Sequence, residues 1–143
     1  SVEIKRDVVQ LDERESGLRA ILNYGHTVAH AIETLSGYGK YRHGEASAIG
    51  MVTEALLAER EGIAPTGLAR QIAVTLAKMR LPVTMDPGLG TEDMVRAIEL
   101  DKKTMGGRLR LALPRELGRC EVVEGVDRRA LASAIEAHRA WPT

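Results

Sequence analysis

The chain of 143 residues has one cysteine, one tryptophan and no phenylalanine. Cys120 has no second thiol within the chain, so an internal disulfide is excluded, which suits a reducing cytoplasm. No apolar run approaches the length of a membrane span, and the N-terminus lacks the charged-then-apolar order of a signal peptide. Twenty basic residues balance twenty acidic ones, so no overall field attracts nucleic acid or an acidic membrane. These absences predict a cytoplasmic protein without nucleic-acid or membrane partners.

The remaining composition is that of a globular domain. Hydrophobic residues make up 44% of the chain and charged residues 28%, a balance typical of a folded protein rather than a disordered one. A chain of this length can bury a core, which without phenylalanine must consist mainly of Leu, Ile, Val, Ala and Met. No internal repeat or linker is evident, so we predict one domain over residues 1–143.

Most of the chain has the apolar spacing of helices. The predicted helices cover residues 2–11, 16–35, 45–62, 66–80, 91–103 and 128–141. Thr91 and Asp127 are the expected N-caps of the last two. The stretch "GRLRLALP" alternates polar and apolar residues, and "GRCEVVE" can pair with it as a hairpin. The predicted fold class is therefore mainly α, with one small β-hairpin near residues 108–123.

Three of the four histidines lie close together in the sequence. His26 and His30 are four apart and share a helix face, while His43 follows a glycine-rich loop. Imidazole suits Zn²⁺, and a catalytic zinc takes three protein ligands plus an open position. Arg19 and Asn23 extend the helical pair into a polar stripe that suits an anionic ligand beside a metal. A solvated helix face is the competing interpretation, and spacing alone leaves both open.

Other polar residues have ordinary structural interpretations. Lys102 and Lys103 end a predicted helix, where they either stabilise its dipole or contact an anion, and spacing does not decide between the two. Cys120 is expected to be a small buried strand residue, and His138 a surface residue of the last helix.

Three stretches, taken together and in order, resemble a known family. These are "DERESGLRAILNYGHTVAHAIE", "GYGKYRHGEASAIGM" and "DKKTMGGRLRLALP". They resemble the C-terminal domain of the 3-dehydroquinate synthases, which are sugar-phosphate cyclases. The resemblance implies a two-domain enzyme, with an N-terminal NAD-binding domain, a mainly helical C-terminal domain and an active site in the cleft between them. The implied reaction converts 3-deoxy-D-arabino-heptulosonate 7-phosphate to 3-dehydroquinate and phosphate in the shikimate pathway.

The resemblance also implies roles for individual residues. His26 and His43 match two ligands of the family's zinc (or cobalt) ion, and His30 matches a histidine that contacts substrate and transfers protons. Glu15 matches a glutamate of the proton-handling network. The implied substrate-binding residues are Lys5, Arg19, Asn23, His30 and one of Lys102 and Lys103, between which the sequence does not decide.

Part of the implied site lies outside this sequence. The family's third zinc ligand is a glutamate upstream of where this chain begins, and the NAD-binding domain precedes it too. We therefore expect the isolated chain to be inactive and to bind zinc weakly or not at all. The implied partners are a small sugar-phosphate substrate, the chain's own N-terminal NAD-binding domain and a second copy in a homodimer.

Three alternatives stay open at this point. One is another sugar-phosphate cyclase, such as 2-deoxy-scyllo-inosose synthase or a sedoheptulose-phosphate cyclase. A second is a non-catalytic helical domain kept for assembly. An iron-dependent alcohol dehydrogenase is the third, although its metal histidines follow a different pattern.

Overall fold

The computed structural model describes residues 26–37, 39–103, 109–116 and 119–141. Within these residues, five helices and one antiparallel hairpin follow one another along the chain. The elements are α1 (His26–Ser36), α2 (His43–Arg60), α3 (Leu68–Lys78), α4 (Thr91–Lys103), β1 (Arg110–Glu116), β2 (Arg119–Glu124) and α5 (Arg128–Arg139). The predicted mainly α class with one hairpin is confirmed. The helix predicted over 2–11 and the first ten residues of that over 16–35 lie outside the described residues.

Helix α2 is the centre of the fold. It packs against α1, α3, α5 and β1. Eleven of its eighteen residues are buried, and they lie on every side of the helix. A helix buried on all sides belongs to the core rather than to the surface. Many of these residues are Ala or Gly, whose small side chains let the neighbouring elements approach closely.

Helices α1, α4 and α5 surround one side of this core. Helix α1 packs on both α2 and α4, and α4 also contacts α5. Arg128 at the start of α5 joins the last pair, with its guanidinium 3.2 Å from Glu92 and 3.1 Å from Glu99 of α4. The predicted cap of α5 is confirmed, because Asp127 accepts a hydrogen bond from the backbone N–H of Arg129 at 3.0 Å.

The hairpin covers another face of α2. Leu111 and Leu113 of β1 are buried, at 1% and 0% exposure. Across the strands, the Arg115 guanidinium lies 2.7 Å from the Glu121 carboxylate. Cys120 lies in β2 as predicted but is only half-buried, and burial raises the pKa of its thiol to about 11. The thiol is therefore protonated at neutral pH.

One predicted helix cap is displaced. Helix α4 begins at Thr91, but the first helical carbonyl is that of Gly90, which accepts from the N–H of Met94 at 3.0 Å. The prediction that Thr91 is the N-cap is therefore wrong by one residue, and Gly90 holds the cap position. Glycine is acceptable there, and its lack of a side chain is why the sequence pattern favoured the threonine.

The surface position predicted for His138 is wrong. The residue is 1% exposed, with Nδ1 2.7 Å from Thr53 Oγ1 and Nε2 2.7 Å from the carbonyl oxygen of Val83. A carbonyl only accepts, so Nε2 carries the hydrogen and the Thr53 hydroxyl donates to Nδ1. Burial lowers the pKa of His138 below its usual 6.5. His138 is therefore a neutral core residue that joins α5 to α2 and to the segment before α4.

None of the helices in the described part of the chain combines the length and the apolar character that spanning a bilayer would require.

Candidate metal centre

The glycine-rich turn between α1 and α2 brings two parts of the chain together. Gly37 and Gly39 have φ angles of +80° and +113°, a region where residues with a Cβ are strained. After this turn the chain runs into α2, whose first residue is His43. The carboxylate of Glu45 accepts from the N–H of Arg42 at 2.8 Å and so stabilises the start of the helix. Glu45 of the "HGEA" motif is thus a capping residue.

Across this turn the rings of His26 and His43 face each other. Their centroids are 5.3 Å apart, and the ring planes are inclined at 56°. Two imidazoles on one tetrahedral zinc, with Zn–N bonds near 2.0–2.1 Å, place their centroids about 5.2 Å apart. The donor chemistry and the separation therefore fit a shared metal ion. Residues 26–37, 39–103, 109–116 and 119–141 contain no group of three His, Cys, Asp or Glu side chains that could hold one.

Glu33 contacts the second of these histidines. Its Oε1 lies 3.3 Å from Nδ1 of His43. Its side chain is 15% exposed, whereas that of His43 is 63% exposed. The carboxylate therefore holds one ring nitrogen from the protein side, and within the described part of the chain the other nitrogen has no hydrogen-bond partner.

His30 lies one helical turn beyond His26 and faces α4. Its Nδ1 is 3.6 Å from Oδ1 of Asp101, and its side chain is 54% exposed. Both residues line a groove of about 530 Å³ between α1 and α4, together with Leu35, Arg96 and Leu100. His30 therefore lies beside Asp101 and a space that a small molecule could enter.

A buried carboxylate anchors the turn that leads to His43. Asp86 is 8% exposed and accepts from Lys40 Nζ at 2.6 Å, from the Tyr41 hydroxyl at 2.9 Å and from the N–H of Gly88 at 2.8 Å. The Lys40 hydrogen bond, followed by that of Gly88, holds the pKa of Asp86 below its usual 3.8. Burial and Asp86 together raise the pKa of Tyr41 to about 12. The carboxylate is thus ionised and the phenol protonated at neutral pH, as these contacts require.

The structure describes only some of the other predicted site residues. Lys5, Glu15, Arg19 and Asn23 lie outside the described residues. Lys102 and Lys103 form the end of α4 and directly follow Asp101, which faces His30. Only the backbone of the two lysines is described. Which of the two lysines contacts substrate stays a prediction.

Sequence reasoning missed Glu33 and Asp86. For Glu33 a signal existed, because its spacings of seven from His26 and three from His30 put all three on one helix face. For Asp86 there was none, since its partners Lys40 and Tyr41 are 46 and 45 residues away. Only the folded chain shows that contact.

Both histidines of this pair lie in a part of the chain that matches a known family. The family model described as "3-dehydroquinate synthase C-terminal" matches residues 1–104, which include α1, α2 and the end of α4. The chain belongs to this family. The predicted resemblance is therefore confirmed.

Two named relatives support the same family assignment. The 3-dehydroquinate synthase of Desulforamulus reducens is 50% identical over 123 residues, which are 86% of this chain and 34% of that protein. The 3-dehydroquinate synthase of Aliivibrio fischeri strain MJ11 is 43% identical over 138 residues, 96% of this chain and 38% of that protein. The chain thus spans about a third of the length of these relatives.

Solved structures share the fold of this 3-dehydroquinate synthase C-terminal domain. A 2-deoxy-scyllo-inosose synthase complexed with carbaglucose-6-phosphate, NAD⁺ and Co²⁺ has a TM-score of 0.66 and 25% identity over 89% of this chain and 36% of its own. The 2-epi-5-epi-valiolone synthase of Streptomyces hygroscopicus subsp. jinggangensis 5008, with NAD⁺ and Zn²⁺ bound, has a TM-score of 0.70 and 24% identity over 80% of this chain and 31% of its own. The latter supports the fold alone.

Proposed function

We propose that this chain is the metal- and substrate-binding part of a 3-dehydroquinate synthase. In that role it takes part in the conversion of 3-deoxy-D-arabino-heptulosonate 7-phosphate to 3-dehydroquinate and phosphate. The observation that carries the proposal is the 5.3 Å separation of the His26 and His43 rings, both of which lie in the stretch that matches the family. Because the chain spans about a third of the length of its relatives, we assign the NAD site and the third metal ligand to an N-terminal part of the complete protein.

In the proposed mechanism His26 and His43 hold the metal ion. When bound, the metal supplies Lewis-acid polarisation of a substrate oxygen. The pair is open to solvent, since His26 is exposed and the His43 side chain is 63% exposed. Zinc is the expected ion and cobalt the alternative, and the 2-deoxy-scyllo-inosose synthase neighbour carries Co²⁺.

His30 moves a proton in this proposal rather than binding the metal. Asp101 lies on the Nδ1 side of its ring, at 3.6 Å, and leaves Nε2 directed away from that carboxylate. In this proposal His30 accepts a proton at Nε2 and returns it. Glu15 belongs to the same proton network, while Lys5, Arg19, Asn23 and one of Lys102 and Lys103 bind the anionic groups of the substrate.

The sequence identities favour 3-dehydroquinate synthase over the other cyclases. Relatives that bear this name are 40–50% identical to the chain, whereas the 2-deoxy-scyllo-inosose synthase is 25% identical. The test is to incubate the complete protein with each sugar phosphate in turn and to measure phosphate release and the cyclic product. Release only from the heptulosonate phosphate supports the proposal, and turnover of glucose 6-phosphate instead contradicts it.

A substitution in the same complete protein distinguishes a catalytic role from that of a non-catalytic assembly domain. We expect His43→Ala to abolish turnover, because a direct metal ligand is lost. Zinc binding should weaken by more than the loss of about 10- to 100-fold that is typical when a residue holding a ligand is replaced. The circular dichroism spectrum should be unchanged, since the side chain is 63% exposed. Full activity in this variant would support the non-catalytic interpretation. A homodimeric state and a cytoplasmic location also stay predictions.

A further inference from the structure

Glu33 has a contact that neither the helix nor the core requires. Its neighbours in α1, Ala31 and Ile32, are 3% and 0% exposed and pack into the core, so the backbone that carries it is held in place. Its own side chain points out of that core and meets Nδ1 of His43 at 3.3 Å. The contact joins two elements that are separated by the glycine turn.

The chemistry of this contact determines which nitrogen of His43 carries the hydrogen and which presents a lone pair. A carboxylate accepts and does not donate, so Nδ1 of His43 carries the hydrogen and Nε2 presents a lone pair. Histidines that bind metal ions commonly make such a bond with the nitrogen that does not face the ion. The bond fixes the ring's tautomer and its orientation.

The exposed fractions of Glu33 and His43 support a role of Glu33 in orienting the His43 ring. The Glu33 side chain is 15% exposed and that of His43 is 63% exposed, so the carboxylate lies behind the ring as seen from solvent. The ring of His26 lies 5.3 Å from that of His43. A hydrogen bond to a ring as exposed as that of His43 would by itself stabilise the fold little, because water competes for it.

We propose that Glu33 is a positioning residue of the metal centre, which holds His43 in the tautomer and orientation that bind the ion through Nε2. The proposal rests on the proposed function, because it takes His43 as a metal ligand. It adds a third residue of this chain to the site without making Glu33 itself a ligand.

The test compares substitutions at two glutamates in the complete protein, in which this chain is joined to or assembled with its NAD-binding half. Glu33→Ala removes the bond, and Glu33→Gln keeps an oxygen that can accept from Nδ1 but removes the charge. Glu61→Ala and Glu61→Gln are the matched controls, since Glu61 is exposed and follows the far end of α2, about 27 Å along the helix from His43. Zinc affinity is measured by competition with a chelator, and the visible spectrum of the cobalt-loaded protein reports the ligand geometry.

We expect Glu33→Ala to weaken zinc binding about 10- to 100-fold and to change the cobalt spectrum. Glu33→Gln should give a smaller loss, and both Glu61 variants should bind as the wild type does. Turnover of the Glu33 variants should recover when zinc is added in excess, which a general loss of structure would not allow. If Glu33→Ala folds poorly, Glu33→Gln decides, because it preserves the size of the side chain.

Two results would overturn the proposal in distinguishable ways. Wild-type zinc affinity and cobalt spectrum in both Glu33 variants, together with loss of zinc in His43→Ala, would remove the role of Glu33 and leave the metal centre intact. Wild-type zinc affinity in His43→Ala would remove the metal centre itself, and the role of Glu33 with it.

Discussion

His138 makes the stability of the fold depend on pH through a single residue. It is 1% exposed, and burial holds the pKa of its imidazole below 6.5 in the folded protein. The unfolded chain, with a pKa near 6.5, therefore binds more protons than the folded chain below that pH. Its stabilising contribution is complete above pH 6.5 and is lost as the pH falls towards the folded pKa. The slope from this residue is at most about 1.4 kcal/mol per pH unit.

We expect His138→Gln to remove this slope from the free energy of unfolding between pH 7.5 and 5.5. The variant should also lose about 1–3 kcal/mol at pH 7.5, because the hydrogen bonds to Thr53 and Val83 are not both replaced. Urea unfolding at a series of pH values measures both effects. His30→Gln is the control, since its side chain is 54% exposed. Parallel pH profiles for His138→Gln and the wild type would contradict the assignment.

Individual residues also show how far sequence reasoning reaches. Asp127 was predicted correctly as a cap because its signal is local, an acidic side chain directly before a helical pattern. His138 was predicted wrongly, although it follows the buried Leu131, Ala134 and Ile135 at the spacing of the core face. The polarity of histidine outweighed that spacing. Its partners Thr53 and Val83 are 85 and 55 residues away, so the contacts that make burial favourable could not be predicted.

At the scale of elements, the turn between α1 and α2 depends on the conformation of its glycines. Gly39 has a φ of +113°, while Gly44, in the first turn of α2, has no positive φ. A Cβ at either position would have no atom within 4 Å among the described residues. Steric crowding is therefore equal at the two sites, and only the backbone angle differs.

The same substitution should act in opposite directions at these two glycines. We expect Gly39→Ala to destabilise by about 1–2 kcal/mol, because a Cβ is strained at positive φ. Gly44→Ala should stabilise by about 0.5–1 kcal/mol, since alanine is the better helix residue. Denaturant unfolding of both variants and the wild type measures the difference. A loss of stability at Gly44 equal to that at Gly39 would mean that the backbone angle is not the cause.

Most elements could be predicted from the sequence because their signals are local. The predicted helix over 91–103 agrees with α4, and the hairpin near 108–123 agrees with β1 and β2. The start of α2 was placed at residue 45 rather than 43, because the glycines before it look like loop up to Gly44. The error left His43 outside the predicted helix. In the structure Glu45 accepts from the N–H of Arg42, so the helix begins at the next residue, His43.

For the whole molecule, spacing alone suggested a site but not its ligands. A pair four apart on a helix favours His26 and His30 together, whereas the structure brings His26 close to His43 and His30 close to Asp101. This pairing follows from the path of the chain through the glycine turn. The resemblance to the family supplied the same pairing in advance, because it relates motifs across that turn.

The proposed division of labour predicts different behaviour for the isolated chain and the complete protein. If His26 and His43 are two of three protein ligands, residues 1–143 alone should bind zinc far more weakly than the complete protein, because the chelate is incomplete. The isolated chain should show no turnover of the heptulosonate phosphate. Adding the NAD-binding half as a separate polypeptide should restore part of both, unless His43→Ala is present. Chelator competition measures the first and phosphate release the second. Tight, stoichiometric zinc binding by the isolated chain would show instead that residues 1–143 contain the complete ligand set.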